Sequence, residues 1–182
     1  MEHLTFFGQF LHHPFRISAV LPTGKRSAKA VAAQIPAGVR TIVEYGPGTG
    51  PVTQAILTCG KLPPDGLLIL IERSPEMAAF LEKKFAGDPR VQVFCDSAEN
   101  VQKILVTCGV SRADCVLASI PFSVIPESVR SSILSNTKSV LTENGVFIVF
   151  LYRKSVEGQL QRAFPAVKAM KVPVLCHLCV FL

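Results

Sequence analysis

The chain has 182 residues, 49% of them apolar and 18% charged, which suits one domain with a sizeable core and excludes global disorder. Lysine and arginine total 19 against 13 acids, a net charge of +6 that suits an anionic partner, nucleic acid or an anionic lipid surface. The longest apolar run, Val146 to Leu151, is six residues, far short of the roughly 20 that a spanning helix needs, so no membrane span is expected.

In chain order, the start carries Glu2, no early lysine or arginine and no small-residue cleavage site. A secretory leader is therefore not expected, and the protein reads as cytoplasmic. Residues 4 to 13, placed on a helix, gather Leu4, Phe6, Phe7, Phe10 and Leu11 on one half and Thr5, Gly8, Gln9, His12 and His13 on the other. Pro14 ends that helix. Arg16, Lys25, Arg26 and Lys29 follow, against the single acid Glu2. An apolar, aromatic face followed by cations is the pattern of a helix lying in a membrane interface, although a helix docked on the domain has the same periodicity. The sequence thus divides into an amphipathic, basic appendage over 1–35 and a domain over 36–182.

From residue 40 onward, strands are expected at Thr41–Glu44, Leu67–Ile71, Val91–Phe94, Cys115–Ala118 and Val146–Leu151. Helices are expected at Pro51–Thr58, Pro75–Phe85, Ala98–Cys108 and Glu127–Leu141. Strand runs that are apolar throughout are covered on both faces, so the fold is α/β, a doubly wound and mostly parallel sheet. The chain ends Lys171-Val172-Pro173-Val174-Leu175-Cys176-His177-Leu178-Cys179-Val180-Phe181-Leu182. No turn chemistry separates two strands there, which predicts an incomplete C-terminal hairpin.

The six cysteines (Cys59, Cys95, Cys108, Cys115, Cys176 and Cys179) are scattered, mostly within apolar segments, and read as buried thiols of a reducing compartment. Only Cys176 and Cys179 have ligand-like spacing, with no second pair to complete a site, so no metal is expected. Adjacent His12 and His13 point apart on a helix and lack a third ligand. Gly24-Lys25-Arg26-Ser27 lacks the earlier glycine of a phosphate loop, because Ala19 stands there.

The strongest local signal is Glu44-Tyr45-Gly46-Pro47-Gly48-Thr49-Gly50, directly after the first strand and before a helix. Glycines at 46, 48 and 50 allow a tight turn and let a ligand approach the backbone, which marks a nucleoside-type cofactor site. Pro51 stands where the dinucleotide fingerprint wants glycine or alanine, so a cofactor without phosphates fits better. Glu72 closes the second strand 22 residues after Gly50, the distance at which an acid meets ribose hydroxyls. Asp96, followed by Ser97, closes the third strand and is placed to meet an adenine edge.

Together these residues resemble the successive motifs of class I S-adenosylmethionine-dependent methyltransferases, over residues 40 to 151. The resemblance implies a Rossmann-like sheet of seven strands with the last antiparallel. It implies S-adenosylmethionine as cofactor, with the methionine moiety near Glu44 and Gly46 on a loop that includes Gly48 and Gly50. Ribose would sit on Glu72 beside Arg73, and adenine near Asp96 and Ser97.

The fourth strand ends in Ala118-Ser119-Ile120-Pro121-Phe122-Ser123. Adenine-N6 methyltransferases carry Asn or Asp where Ser119 stands, and Pro121 and Phe122 match their motif. Phe7-Gly8-Gln9-Phe10-Leu11-His12-His13-Pro14-Phe15-Arg16-Ile17 with Val20-Leu21-Pro22-Thr23 resembles the opening of bacterial phospholipid N-methyltransferases, as does the serine-led Ser119-Ile120-Pro121-Phe122. That resemblance implies methylation of phosphatidylethanolamine at the inner membrane face, with Ser119, Pro121 and Phe122 as catalytic residues. The competing reading is an rRNA adenine dimethyltransferase relative. It is weakened by Ser119, by the absence of arginines interleaved with aromatics and by the mere 31 residues after Leu151. A third reading keeps the fold as a non-enzymatic cofactor-binding module.

Overall fold

Strands that are apolar at every position need helices on both sides, and the chain supplies them alternately. The computed structural model describes residues 24–151, 157–164, 167–172 and 176–181. The amphipathic segment at residues 4–13 and Tyr152, a candidate to orient an acceptor at the end of the fifth strand, lie outside the described residues.

In order, α1 (Lys25–Ala32) leads to β1 (Thr41–Tyr45), α2 (Pro51–Thr58), β2 (Leu67–Glu72), α3 (Pro75–Phe85) and β3 (Val91–Cys95). A 3-10 turn over Ala98–Asn100 runs into α4 (Val101–Thr107). The remainder is β4 (Ala113–Ala118), α5 (Glu127–Val140), β5 (Leu141–Leu151), α6 (Glu157–Ala163), β6 (Val167–Val172) and β7 (Cys176–Phe181). Helices α2 and α3 begin where the sequence places them, because a proline stands at the first helical position of each. Ser74 adds an N-cap to α3, its side chain accepting from Met77 N.

One sheet of seven strands has the order β3-β2-β1-β4-β5-β7-β6. Strands β1 to β5 pair in parallel, and β7 runs antiparallel to both β5 and β6. The expected gap at the C-terminus is corrected: β6 pairs with β7 from Val167↔Phe181 to Val172↔Cys176. Turn chemistry is a local signal, whereas β7 takes its place by non-local pairing with β5, Phe147↔Phe181 through Leu151↔His177. A second difference lies in β5, which begins at Leu141 directly off α5. The polar stretch Thr142 to Gly145 hides that start, and the register against β4 shifts there between Ala113 and Cys115.

Two cores sandwich the sheet. On one face Val43, Tyr45, Ile69, Val116 and Phe147 pack with Ile104, Leu105, Ile133, Leu134 and Leu160 from α4, α5 and α6. On the other, Ile42, Leu68, Leu70, Leu117 and Ile148 pack with residues of α1, α2 and α3. Residues 25–35 belong to the expected appendage, yet Ala28, Val31, Ala32 and Ile35 are buried in this second core.

The cysteines depart in part from the expected burial. Cys115 on β4 is buried, and burial pushes its thiol up. Cys59 and Cys95 are exposed, one at the C-cap of α2 with its thiol on Ile56 O, the other ending the edge strand β3. The side chains of Cys176 and Cys179 lie outside the described ones. No group of His, Cys, Asp and Glu suited to a metal occurs among the described residues. No helix among them is long and apolar enough to cross a membrane.

Candidate active site

The strand order reverses direction between β1 and β4, and ligands of open α/β sheets bind outside the carboxyl ends of strands at such a switch point. Gly46 follows β1 there and Ser119 follows β4. Ser119 N donates to Tyr45 O at 2.9 Å, which ties the two strand ends together. A Cβ on Gly46 would lie 2.7 Å from Ile120 Cγ2, so only glycine lets the two loops meet this closely.

Residues 46–50 form a loop closed by Gly46 N to Ile71 O and Gly50 N to Pro47 O, both 2.9 Å. The three glycines have φ of 63°, 57° and 78°. A Cβ on Gly48 would meet nothing within 4 Å, so the backbone there faces open space that a ligand can enter.

Glu72 ends β2 beside this loop, with Oε2 accepting from Gly48 N at 3.3 Å and Oε1 from Ser74 N at 3.0 Å. Asp96 follows β3, and its backbone N donates to Glu72 O at 3.0 Å. Its Oδ1 accepts from Ser97 N at 2.6 Å and from Asn100 Nδ2 at 2.7 Å. Ser97 caps the 3-10 turn, accepting from Glu99 N and donating to Glu99 Oε2. Arg73 is exposed at the exit of β2. The loop, Glu72, Asp96 and Ser97 therefore form one continuous rim.

Glu44 is fully buried on the side of β1 that faces α2. Its Oε2 accepts from Thr53 Oγ1 at 2.7 Å, while Oε1 has no partner. Burial, opposed by the Thr53 bond and aided by the negative charge of Glu72, raises its pKa from 4.5 to about 7. The folded state thus holds a proton that the unfolded chain releases at lower pH. The resulting stability is complete below pH 4.5 and is lost as pH rises to about 7, a loss of the order of 3 kcal/mol. Asp65 and Asp88, held low by Arg40 and Arg90, titrate below that window. Thermal melts of the unliganded protein should therefore fall between about pH 5 and about pH 8, and Glu44→Gln should flatten that slope. An unchanged slope in the variant would assign the dependence elsewhere.

Ser119 presents a second buried atom without a partner, its Oγ. Pro121 and Phe122 continue the turn, with Phe122 N on Ile120 O at 2.9 Å and Val124 N on Pro121 O at 3.0 Å. Phe122 is 1% exposed, its ring in the core with Tyr45, so it anchors the turn instead of presenting a face to a ligand. Arg130 of α5 secures the same turn, donating to Phe122 O at 3.0 Å and Ile125 O at 3.4 Å. Thr53 and Arg130 escape a reading by spacing. A polar residue in the otherwise apolar start of α2, Pro51-Val52-Thr53, is the one signal for Thr53, and nothing local marks Arg130.

A separate concavity of about 390 Å³ lies at the amino ends of β1, β4 and β5, between Pro36–Val39 and Thr142–Asn144. Of its two lining carboxylates, Glu143 is exposed and Asp114 already accepts from Arg40 N and Thr41 N through Oδ2. The glycine loop, Glu72, Asp96 and Ser119 are all at the other end of the sheet.

No family model matches the chain. It is 29% identical over 147 residues to the ornithine lipid N-methyltransferase of Singulisphaera acidiphila, covering 80% of this chain and 76% of that one. It is 26% identical over 133 residues to a chloroplastic ribosomal RNA small subunit methyltransferase of Arabidopsis thaliana. That match covers 70% of this chain but only 36% of the relative, so the chain spans about a third of its length. Among solved structures, magnesium protoporphyrin IX methyltransferase from Synechocystis PCC 6803 superposes with a TM-score of 0.70 at 11% identity. That superposition covers 99% of this chain and 96% of the other, and shows the shared Rossmann-like fold.

Proposed function

We propose that the chain is a class I S-adenosylmethionine-dependent methyltransferase that methylates the amine of a membrane lipid at the bilayer surface. Phosphatidylethanolamine is the acceptor that the sequence resemblance implies, and the Singulisphaera relative is named for ornithine lipid. Both offer an amine headgroup on an apolar body. The observation that carries the reading is the serine-led turn Ser119-Ile120-Pro121-Phe122 seated against Gly46, with the Ser119 Oγ buried and unpartnered.

The residues present fit the cofactor. Glu44 Oε1 is a buried acceptor without a donor, and the cofactor's amino group would satisfy it. A cation there favours the ionised carboxylate and offsets the burial that raises its pKa. The open backbone at Gly48 would admit the cofactor, Glu72 would accept from its ribose hydroxyls, and Asp96 with Ser97 would meet its adenine edge. When bound, S-adenosylmethionine supplies an electrophilic methyl on a sulfonium.

Transfer to an amine is an in-line displacement in which positioning supplies most of the acceleration. The acceptor must arrive as a free amine, its proton lost to water or a weak local base. Ser119 Oγ can accept an N–H from that amine and so aim its lone pair. The carbonyls of Ile120 and Pro121 each already accept one bond within the turn, whereas Ser119 Oγ has no partner, which favours Ser119 as the orienting group. Val124, 44% exposed on the same turn, adds an apolar contact for a lipid.

The RNA reading has the Arabidopsis relative in its favour. Against it stands Ser119, whose hydroxyl suits a flat, conjugated amine less well than an amide or carboxylate does.

Docking at the surface falls to the amphipathic segment over residues 4–13 and the cations that follow it. Sedimentation with vesicles of phosphatidylethanolamine and phosphatidylglycerol should be strong at low salt and fall steeply as salt rises. Mass spectrometry of the vesicle lipids should then show methylated phosphatidylethanolamine, or methylated ornithine lipid where that lipid is added. Vesicles that neither bind the protein nor acquire methyl groups would refute the proposal.

A further inference from the structure

We infer that Lys84 is a positioning residue for the cofactor, its ammonium holding the Thr49 carbonyl and so fixing the glycine loop in the conformation the cofactor meets. The inference rests on the reading of residues 46–50 as the cofactor loop.

Lys84 lies in the last turn of α3, 35 residues along the chain from Thr49, and its Nζ donates to Thr49 O at 2.7 Å. The ammonium stands 5.9 Å from the centre of the Phe80 ring and 5.2 Å from that of Phe85. Two aromatic faces narrow the positions that a surface lysine would otherwise sample. The Phe85 ring also supports the loop directly: a Cβ on Gly50 would come within 2.8 Å of Phe85 Cε2 and 3.2 Å of Leu81 Cδ2.

The end of α3 therefore touches consecutive loop residues, Thr49 by a charge-assisted hydrogen bond and Gly50 by packing. Gly48 is held separately by Glu72. Glycines have the most backbone freedom to lose, and a loop left loose would lose it on binding. With these three anchors that ordering is complete before a ligand arrives. Lys83, the neighbour, makes no hydrogen bond or ion pair among the described residues, which makes it the matched control.

The test is calorimetric titration of the full chain with S-adenosylhomocysteine and with S-adenosylmethionine, in the wild type, Lys84→Met, Lys84→Arg and Lys83→Met. Methionine keeps an apolar stem against Phe80 and Phe85 but has no donor. Lys84→Met should weaken both ligands about five- to tenfold, and Lys84→Arg should recover to within about twofold. Lys83→Met should bind as the wild type does. The unliganded Lys84→Met melt should stay within about 2 °C of the wild type, as befits an exposed side chain. In the vesicle assay, its KM for S-adenosylmethionine should rise while kcat holds.

The two ligands differ by the sulfonium charge, so a through-space charge effect would move their affinities apart, whereas a held loop weakens both alike. Unchanged affinity in Lys84→Met, an equal loss in Lys83→Met, or unequal responses of the two ligands would overturn the inference. Failure of the wild type to bind either ligand would overturn the loop reading itself, and the Lys84 role with it.

Discussion

Gly48→Val should abolish binding of S-adenosylmethionine, weakening it more than about 100-fold, while the protein still folds. A Cβ added there meets nothing in the protein within 4 Å, so the new side chain grows into the open space that a ligand needs. The backbone carries φ of 57° there, which costs a β-branched residue about 1–2 kcal/mol. For a chain of this length that is a fall of roughly 2–8 °C in Tm. Gly60→Val separates the two effects, because Gly60 has φ of 74°, a Cβ added there would meet nothing within 4 Å, and it lies beyond the far end of α2 from the glycine loop. It should show a similar thermal loss with binding intact. Retained affinity in Gly48→Val, measured by titration calorimetry, would mean that the cofactor does not approach this backbone.

Ser119→Ala should lower kcat by about 10–100-fold, with cofactor affinity unchanged. Stability should move the other way. The Ser119 Oγ is buried without a partner in the unliganded protein, and removing such a group relieves a penalty of about 1–3 kcal/mol. A variant that is slower and equally or more stable is the signature of a hydroxyl kept for the acceptor. Ser119→Cys and Ser119→Thr, which keep a side-chain donor and acceptor, should fall between. A parallel loss of stability and of cofactor affinity in Ser119→Ala would make Ser119 a structural residue and remove its orienting role.

The local grammar of the sequence carries much of this architecture. Pro51 and Pro75 fix two helix starts to the residue, and apolar runs such as Leu67 to Ile71 declare strands covered on both faces. The carboxyl ends of those strands then place Glu44, Glu72, Asp96 and Ser119 without further information. What escapes a linear reading depends on distance along the chain. Ile120 closing on Gly46, Lys84 on Thr49 and Arg130 on the Phe122 carbonyl join segments with no shared periodicity. Phe122 is legible as part of the turn, but its burial under the acceptor end follows only from how α5 packs on the sheet. The C-terminal hairpin escapes for the same reason, since β5 offers an edge that recruits β7 without help from a turn motif. Glu44 shows the converse: its position is plain from the glycine motif, but its raised pKa emerges only from full burial behind Thr53.

The most direct measurement uses S-adenosylmethionine labelled on its methyl group, given to the full chain with mixed vesicles of phosphatidylethanolamine, ornithine lipid and phosphatidylglycerol and with unmodified ribosomal RNA. Organic extraction separates lipid from nucleic acid, and label is counted in each phase. Label in the lipid phase, lost in Gly48→Val and strongly reduced in Ser119→Ala, is the expected result. Label confined to the RNA phase would contradict the lipid assignment and make the positive charge of the chain a phosphate-binding surface.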